Sequence, residues 1–520
     1  MERFTCQGNE ATGRDPRPWM LPAALVLACL ASVFAWPAPA AEASQAVRPP
    51  VVVLVLDELS TSMIMTSEGR VDGRRFPNLS ALARTGTWYR NHTTTADATK
   101  SAVPAILTGS RTRADWKTRR DIFRMLRPTH RLRGFESVTT FCPRSWCPWP
   151  PVRNRLAGAR LDTRALGNFS LGRFAGALDQ IGDGQRPLAW VAHAMVPHVP
   201  WRFLPNGTSY EDAYAPFPSL WVTDGLDYWT DNEYGIALSQ QRALLQVGFA
   251  DRIVGEMRLR LEQAGLWHRA MVVVVADHGA TFAANEPRRS LTPSTFGEMA
   301  MVPLFVKYPR QVRGRVSDRP TNSAQIVPTI ARWVDGPAEY RGTTLDEAPP
   351  GRDVVTRSAR SNANLSMPLA EVLEQRQAAI LRRDRRLPRS SLYRTSAGEG
   401  LVGRRPSSVG ISAPADGSIQ PLGQDGAELR PSRPGVLNAS YLTANTAGLE
   451  KGERVAIATG DRIVAVSRVF GYAYPPDNPD GPRATLRVAA MIDPRHLGSS
   501  PAELSFYVVR ERRLSPLAVR

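Results

Sequence analysis

Two apolar runs in this 520-residue chain stop abruptly on groups that bind cations. Val272-Val273-Val274-Val275-Ala276 leads into Asp277-His278-Gly279, and Val51-Val52-Val53-Leu54-Val55-Leu56 leads into Asp57-Glu58. Carboxylates and imidazoles are good ligands for a divalent cation. Between the two runs lies Asp97-Ala98-Thr99-Lys100-Ser101, a cluster of hydroxyls and a cation that opens a helical stretch. A hydroxyl held against a divalent cation loses its proton more readily and becomes a nucleophile. The exposed N–H groups of a helix start favour an anionic ester group. These residue types therefore point to metal-assisted attack on an anionic ester. From the residues alone, Thr99 and Ser101 are both candidate nucleophiles, and Lys100 is placed to stabilise the transferring anion.

These groups need elements to bring them together. Runs of β-branched residues read as strands buried on both faces, and ligands in an open α/β sheet sit at the carboxyl ends of strands. After the first strand, a helix is expected to start near Asn78 or Ser80 and to stop at Gly86. Leu188 to Ala192 reads as a strand that ends before His193. A long helix is expected from Glu233 to Ala264, with Leu244, Val247, Asp251, Val254 and Arg258 at helical spacing and Gly265 closing it. Val302 to Val306 is a further strand, and Ile326 to Val334 a further helix. Alternating strands and helices predict an α/β fold with a mostly parallel, doubly covered sheet. The stretch 346–435 is rich in Arg, Pro, Ser and Gly and reads as a linker. Strand signals return over 436–520, where Gly460-Asp461 suits a hairpin turn, and predict a small β-rich module.

The chain as a whole narrows the setting. Its formal net charge is +18, carried mostly by arginine and spread along the body rather than gathered in one tract. No zinc-finger spacing or RNA-recognition signature accompanies it, so nucleic acid is not an expected partner. Arg14 and Arg17 precede an apolar run from Trp19 to Trp36, which ends in Pro37-Ala38-Pro39-Ala40-Ala41. Residues 1–45 therefore read as an export signal or membrane anchor, and the chemistry as extracytoplasmic, secreted or membrane-anchored. Cys6 and Cys29 fall in that leader. Cys142 and Cys147 remain, and an even pair in an exported chain predicts a local disulfide.

The order of motifs over Val51 to Gly336 resembles the sulfatase-like branch of the alkaline phosphatase superfamily. The strand ending in Asp57-Glu58 is followed by Phe76-Pro77-Asn78-Leu79 with Ala83-Arg84-Thr85-Gly86, then by the segment ending in Leu107-Thr108-Gly109. Pro197-His198-Val199-Pro200-Trp201, Asp251, Asp277-His278-Gly279, Val302-Pro303-Leu304 and Pro328-Thr329 complete the series. The resemblance implies an alkaline-phosphatase-like sandwich over 50–345, with the β-rich module appended. It places ligands for one divalent ion (Mn, Mg, Ca or Zn) at Asp57, Asp277 and His278, with Glu58 at a position that is often a second acidic ligand. It places the nucleophile ten residues ahead of Gly109, at Thr99, which also touches the metal. His198 matches a histidine that contacts the anionic group or leaving oxygen, and His193, on the same segment, is a second candidate for that role. Lys100 is carried as a substrate-binding residue.

One departure directs the chemistry. Formylglycine sulfatases need Cys or Ser followed by x-Pro-x-Arg, whereas this chain reads Thr99-Lys100-Ser101-Ala102-Val103. A threonine at that point resembles the branch that transfers phosphoglycerol or phosphoethanolamine, and the phosphodiesterases. The expected function is therefore an extracytoplasmic hydrolase or transferase of phosphate esters, acting on an anionic ester such as a cell-envelope lipid or polymer. The alternatives are a sulfatase that works without formylglycine and a non-catalytic binder of anionic polymers. Asp251, mid-helix with no second acid four residues on, reads as structural. Arg288-Arg289 offers a clamp for phosphate or sulfate, but in so Arg-rich a chain it reads first as surface charge.

Overall fold

Strand β1 (Val51–Asp57) is buried along its whole length and lies inside a seven-stranded sheet. The other strands are β2 (Thr87–Tyr89), β3 (Arg131–Phe135), β4 (Leu188–Pro197), β5 (Met271–Ala276), β6 (Leu304–Lys307) and β7 (Arg315–Ser317). Their order across the sheet is β7-β2-β6-β5-β1-β4-β3. Strands β5, β1, β4 and β3 run parallel, so their carboxyl ends share one edge. Strand β6 returns antiparallel to β5, because the connection from Asp277 to Pro303 holds only the four-residue helix Phe296–Met299 and no full crossover.

The coordinates come from a computed structural model. It describes residues 48–111, 120–156, 159–160, 171–210, 220–223, 226–347, 349, 351, 353–422, 428–429, 441–472, 485–496 and 502–520, all within one unit spanning Arg48–Arg520. The leader expected over 1–45, with Cys6 and Cys29, lies outside the described residues. Among the described residues no helix is long and apolar enough to cross a membrane.

Alternation along the strands builds two cores. Val52, Leu54 and Leu56 face one side, with Leu79 and Leu82 of α1 (Pro77–Thr85), Phe174 of α3 (Leu171–Leu178) and Leu244, Val247 and Val254 of α4 (Glu233–Gln263). Val51, Val53 and Val55 face the other, with Val103, Ile106 and Leu107 of α2 (Thr99–Thr108) and Ile326, Val327 and Ile330 of α5 (Ile326–Trp333). Apolar side chains on both faces of a parallel sheet explain why its strands read as unbroken valine runs.

The Arg/Pro-rich stretch 346–435 carries more structure than a linker. It holds a hairpin, Asp353–Arg357 with Asn364–Pro368, and the 18-residue helix α6 (Leu369–Arg386). Arg376, Arg383 and Arg386 of α6 are buried, donating to the carbonyls of Arg90, Ser62 and Phe282. Composition suggested a solvated segment because it does not show which guanidiniums meet buried carbonyls. Beyond it, two antiparallel sheets enclose a core that includes Ile419, Leu442, Ile457 and Val508. Arg454–Thr459 and Arg462–Arg468 form the expected hairpin, with Gly460 at φ +56° in its turn. Tyr441, Phe470 and Met491 of this β-rich region pack on Leu238 and Leu245 of α4.

Candidate active site

Strand register places the first three site residues. Val55 pairs with Val275 on one side and with His193 on the other. Neighbours in a parallel sheet share a face, so Asp57, Asp277 and His193 all point to the side covered by α2. Each offers a ligand atom within 4.8 Å of the other two. His193 therefore lies inside β4, which runs on to Pro197, rather than after a strand ending at Ala192. It stands in a cluster with the carboxylates of Asp57 and Asp277.

The three groups are oriented by hydrogen bonds at their outer atoms. Asp277 Oδ1 accepts the backbone N–H of Glu58 at 3.0 Å and of His278 at 2.6 Å. His193 Nδ1 bonds the Ser137 hydroxyl. The inner atoms, Asp57 Oδ1, Asp277 Oδ2 and His193 Nε2, are buried without a hydrogen-bond partner. Burial, then the neighbouring charges of Asp277 and Glu58, hold the Asp57 carboxyl well above its usual range. Burial pushes the His193 imidazole down to about 4, so it is neutral at neutral pH. Two buried carboxylates and a neutral imidazole with converging bare atoms fit a divalent cation, the charge that would satisfy all three.

Thr99 is the first residue of α2, where backbone N–H groups lack helical acceptors. Its hydroxyl lies 3.1 Å from His278 Nε2. His278 Nδ1 lies 2.9 Å from the Gly279 carbonyl, which can only accept, so the ring proton sits on Nδ1 and Nε2 presents a lone pair to the threonine. Asp97 anchors the turn before the helix: its two oxygens accept the N–H groups of Ala359 at 2.7 Å and Leu291 at 3.0 Å. Lys100, next along, is exposed on the first turn. Gly279 is required by crowding rather than by its φ, since a Cβ there would fall 2.0 Å from the Glu298 carbonyl oxygen.

Glu58 and His198 form the other wall. Glu58, at φ +64°, turns its carboxylate from the metal cluster toward Arg288, whose Nη1 donates to Oε1 at 2.6 Å. Burial alone would raise the Glu58 carboxyl, but Arg288 first, then His198 and Arg289, hold it below the usual carboxylate range. Arg288 is 1% exposed at its side chain and also pairs with Asp227, so it is a buried strut and not surface charge. Arg289 Nη1 donates to His198 Nε2 at 2.9 Å, and His198 Nδ1 donates to the Val199 carbonyl. Gln246 of α4 pins this loop by donating to the carbonyls of Pro197 and His198 and accepting the N–H groups of Arg202 and Phe203. Asp251, five residues further along α4, accepts the N–H groups of Asn78 and Leu79 and so caps α1, as a structural residue.

Sequence reasoning missed Asp97, Ser137 and Gln246 as supports, and read Arg289, which it had weighed as an anion clamp, first as surface charge. Their only sequence signal is polarity inside stretches the fold buries. The expected disulfide is present between Cys142 and Cys147.

Residues 168–336 match the family model described as Sulfatase. The matched segment contains His193, His198, Asp277 and His278 and starts after Asp57 and Thr99, which the sheet and α2 bring to it. The match falls within the span over which the chain's motifs resemble that family. No curated protein sequence matches the chain. Among solved structures it is similar to a protein of Bacteroides thetaiotaomicron designated a sulfatase, with 13% identity, a TM-score of 0.45 and coverage of 63% of this chain and 87% of that one. It is also similar to the phosphonate monoester hydrolase of Agrobacterium radiobacter, with 14% identity, a TM-score of 0.42 and coverage of 63% and 91%. Another is the phosphonate monoester hydrolase of Silicibacter pomeroyi, with 17% identity, a TM-score of 0.38 and coverage of 59% and 79%.

Proposed function

We propose that this protein hydrolyses or transfers a phosphate ester through Thr99, outside the cytoplasm. The observation that carries the reading is the Thr99 hydroxyl, 3.1 Å from the His278 Nε2 lone pair at a helix start. Beside it converge the three unpartnered ligand atoms of Asp57, Asp277 and His193. Asp57, Asp277 and His193 would hold the divalent cation, with Thr99 and His278 adjoining it. When bound, that cation supplies positive charge against the ester oxygens.

The residues of the chain do the rest. His278 Nε2 takes the Thr99 proton as the hydroxyl attacks phosphorus in line. The P–O bond to the leaving group breaks as the bond to Thr99 Oγ1 forms, giving a phospho-threonine, and the leaving oxygen takes a proton from solvent. The N–H groups at the start of α2 and the Arg289 guanidinium bind the non-bridging oxygens. Arg289 also holds His198 by its Nε2, at the side from which the leaving oxygen departs. Water or an acceptor alcohol then attacks phosphorus and gives its proton to solvent, while the P–O bond to Thr99 Oγ1 breaks and that oxygen recovers its proton from His278 Nε2. Glu58 is the counter-ion that fixes Arg288 and closes the wall, in place of a direct metal ligand. The threonine supports phosphate over sulfate, because the residue that formylglycine chemistry needs is replaced.

The test is turnover of phosphodiester, phosphomonoester and sulfate-ester substrates with Mn, Mg, Zn or Ca, by the wild type and by Thr99→Ala. Phosphate-ester turnover should fall by roughly a thousandfold or more in the variant while metal binding is retained. Equal turnover by both proteins, or turnover of sulfate esters alone, overturns the reading.

A further inference from the structure

Residues 136–152 carry features that ester cleavage at Thr99 does not use. The loop leaves β3 beside the site: Phe135 pairs with Ala192, and Ser137 bonds His193. Three devices fix its shape. The Cys142–Cys147 disulfide closes a tight turn. Glu136 accepts the Thr139 hydroxyl and the N–H groups of Phe141 at 3.1 Å and Cys142 at 2.8 Å. The end of the loop lies directly on α3, where a Cβ at Gly176 would fall 1.8 Å from the Pro151 carbonyl oxygen.

On this fixed loop Trp149 is 49% exposed. Two guanidiniums sit over its ring, with Arg144 Cζ 3.4 Å and Arg173 Cζ 3.9 Å from the centroid. Two groups that close cannot share one face, so they take opposite faces. The nearby acids are engaged elsewhere: Asp121 pairs with Arg124, and Asp179 with Arg153 and Arg260. Among the described residues neither Arg144 nor Arg173 has a carboxylate partner. Stacking on indole holds the guanidinium planes, and although Arg173 Nη1 donates to the Pro150 carbonyl at 3.3 Å, further N–H groups of both side chains can meet oxyanions with little further loss of freedom. A cavity of about 170 Å³ adjoins Arg144 and Trp149, lined also by Thr139, Thr140 and Glu136, whose carboxylate is taken up by the Thr139 hydroxyl and the N–H groups of Phe141 and Cys142.

We propose that Arg144 and Arg173, held on either face of Trp149, form an oxyanion subsite for a second phosphate or sulfate group of an extended anionic polymer. It rests on the reading of Thr99 as the ester-cleaving group, which would act on another unit of that polymer. With both faces of Trp149 covered, recognition is through charge and hydrogen bonds rather than through stacking of a sugar on the indole.

The test titrates the full chain with inorganic polyphosphate of defined length, with single inorganic phosphate, and with phosphatidylglycerol vesicles. Three variants are compared with wild type: R144Q/R173Q, W149A, and the remote control R313Q/R385Q. Polyphosphate affinity should fall roughly tenfold or more in R144Q/R173Q. It should fall several-fold in W149A, which removes no charge, and change less than twofold in the control. Single phosphate should bind all four proteins alike. Equal losses in R144Q/R173Q and the control would mean diffuse attraction by the +18 charge and overturn the proposal. So would unchanged binding in R144Q/R173Q, or losses confined to vesicles. If polyphosphate binding falls as expected but no ester is turned over, the subsite stands and the Thr99 reading fails.

Discussion

At the scale of single residues, the centre of this protein is a set of polar atoms that the fold buries and leaves bare. Burial first, then the neighbouring charges of Asp277 and Glu58, raises the Asp57 carboxyl. Such an arrangement costs stability until a cation is present. Asp57→Asn should therefore raise the melting temperature of the metal-free protein. It should also abolish the rise that Mn or Zn gives to the wild type, where a ligand bound only by the folded state stabilises it. Thermal melts with and without metal and chelator check both effects. An unchanged metal response in the variant would mean that Asp57 is not a ligand. Thr99 is held to a similar standard by its own proton geometry: the His278 tautomer set by Gly279 leaves one lone pair, and the threonine lies against it.

At the scale of elements, the site depends on how two helix starts are tied. The turn before α2 is fixed by Asp97, which satisfies the N–H groups of Leu291 and Ala359 on two separate segments. Asp97→Ala leaves the buried N–H of Leu291 and the part-buried N–H of Ala359 unmatched and should cost about 2 kcal/mol of stability. Urea unfolding measures this, and the same change should lower turnover, because the Thr99 turn loses its anchor. The start of α1 is capped from α4 by Asp251, whose oxygens take two backbone N–H groups and the Asn78 amide. Asp251→Ala should cost about 1–2 kcal/mol with little effect on turnover per folded molecule, since no site residue lies on α1. The two variants separate a support of the site from a support of the fold. An activity loss in Asp251→Ala as large as that in Asp97→Ala would contradict this division.

At the scale of the whole molecule, acid should unfold the protein through imidazoles buried in neutral form. His92 is fully buried between the Thr321 and Ser323 hydroxyls, and burial pushes its pKa down to about 3. In the unfolded chain it titrates near about 6.5. Between these values the unfolded state binds the extra proton. Stability is therefore complete above about pH 6.5 and falls by about 1.4 kcal/mol per unit as pH drops toward 3. His92→Gln keeps a group that can meet both hydroxyls and cannot titrate. Its unfolding free energy should depend on pH with a slope about one proton smaller over that range. Denaturant unfolding at several pH values reads the slope directly, and identical slopes in both proteins would exclude His92 as a contributor.

The sequence by itself determined the strands that end in Asp57 and Asp277, the helix openings, and the alternation that makes a parallel sheet. Valine runs and glycine stops are local signals, and buried parallel strands need little else to be read. It also singled out Asp57 and Asp277-His278 as candidate ligands, because strand ends in such a sheet are where ligands collect. Tertiary structure alone decided which of them meet. His193 joins the carboxylates because strand register sets it beside Val55 on the face that Asp57 shares. Glu58 leaves them because a left-handed backbone turns it to Arg288, which composition suggested was surface charge. The arginines of α6 became buried straps for the same reason: a guanidinium's role depends on the carbonyl or carboxylate it faces. Those partners stand up to 321 residues away along the chain. Local pattern fixes periodicity and chain direction, but the pairing of distant polar groups is an outcome of packing.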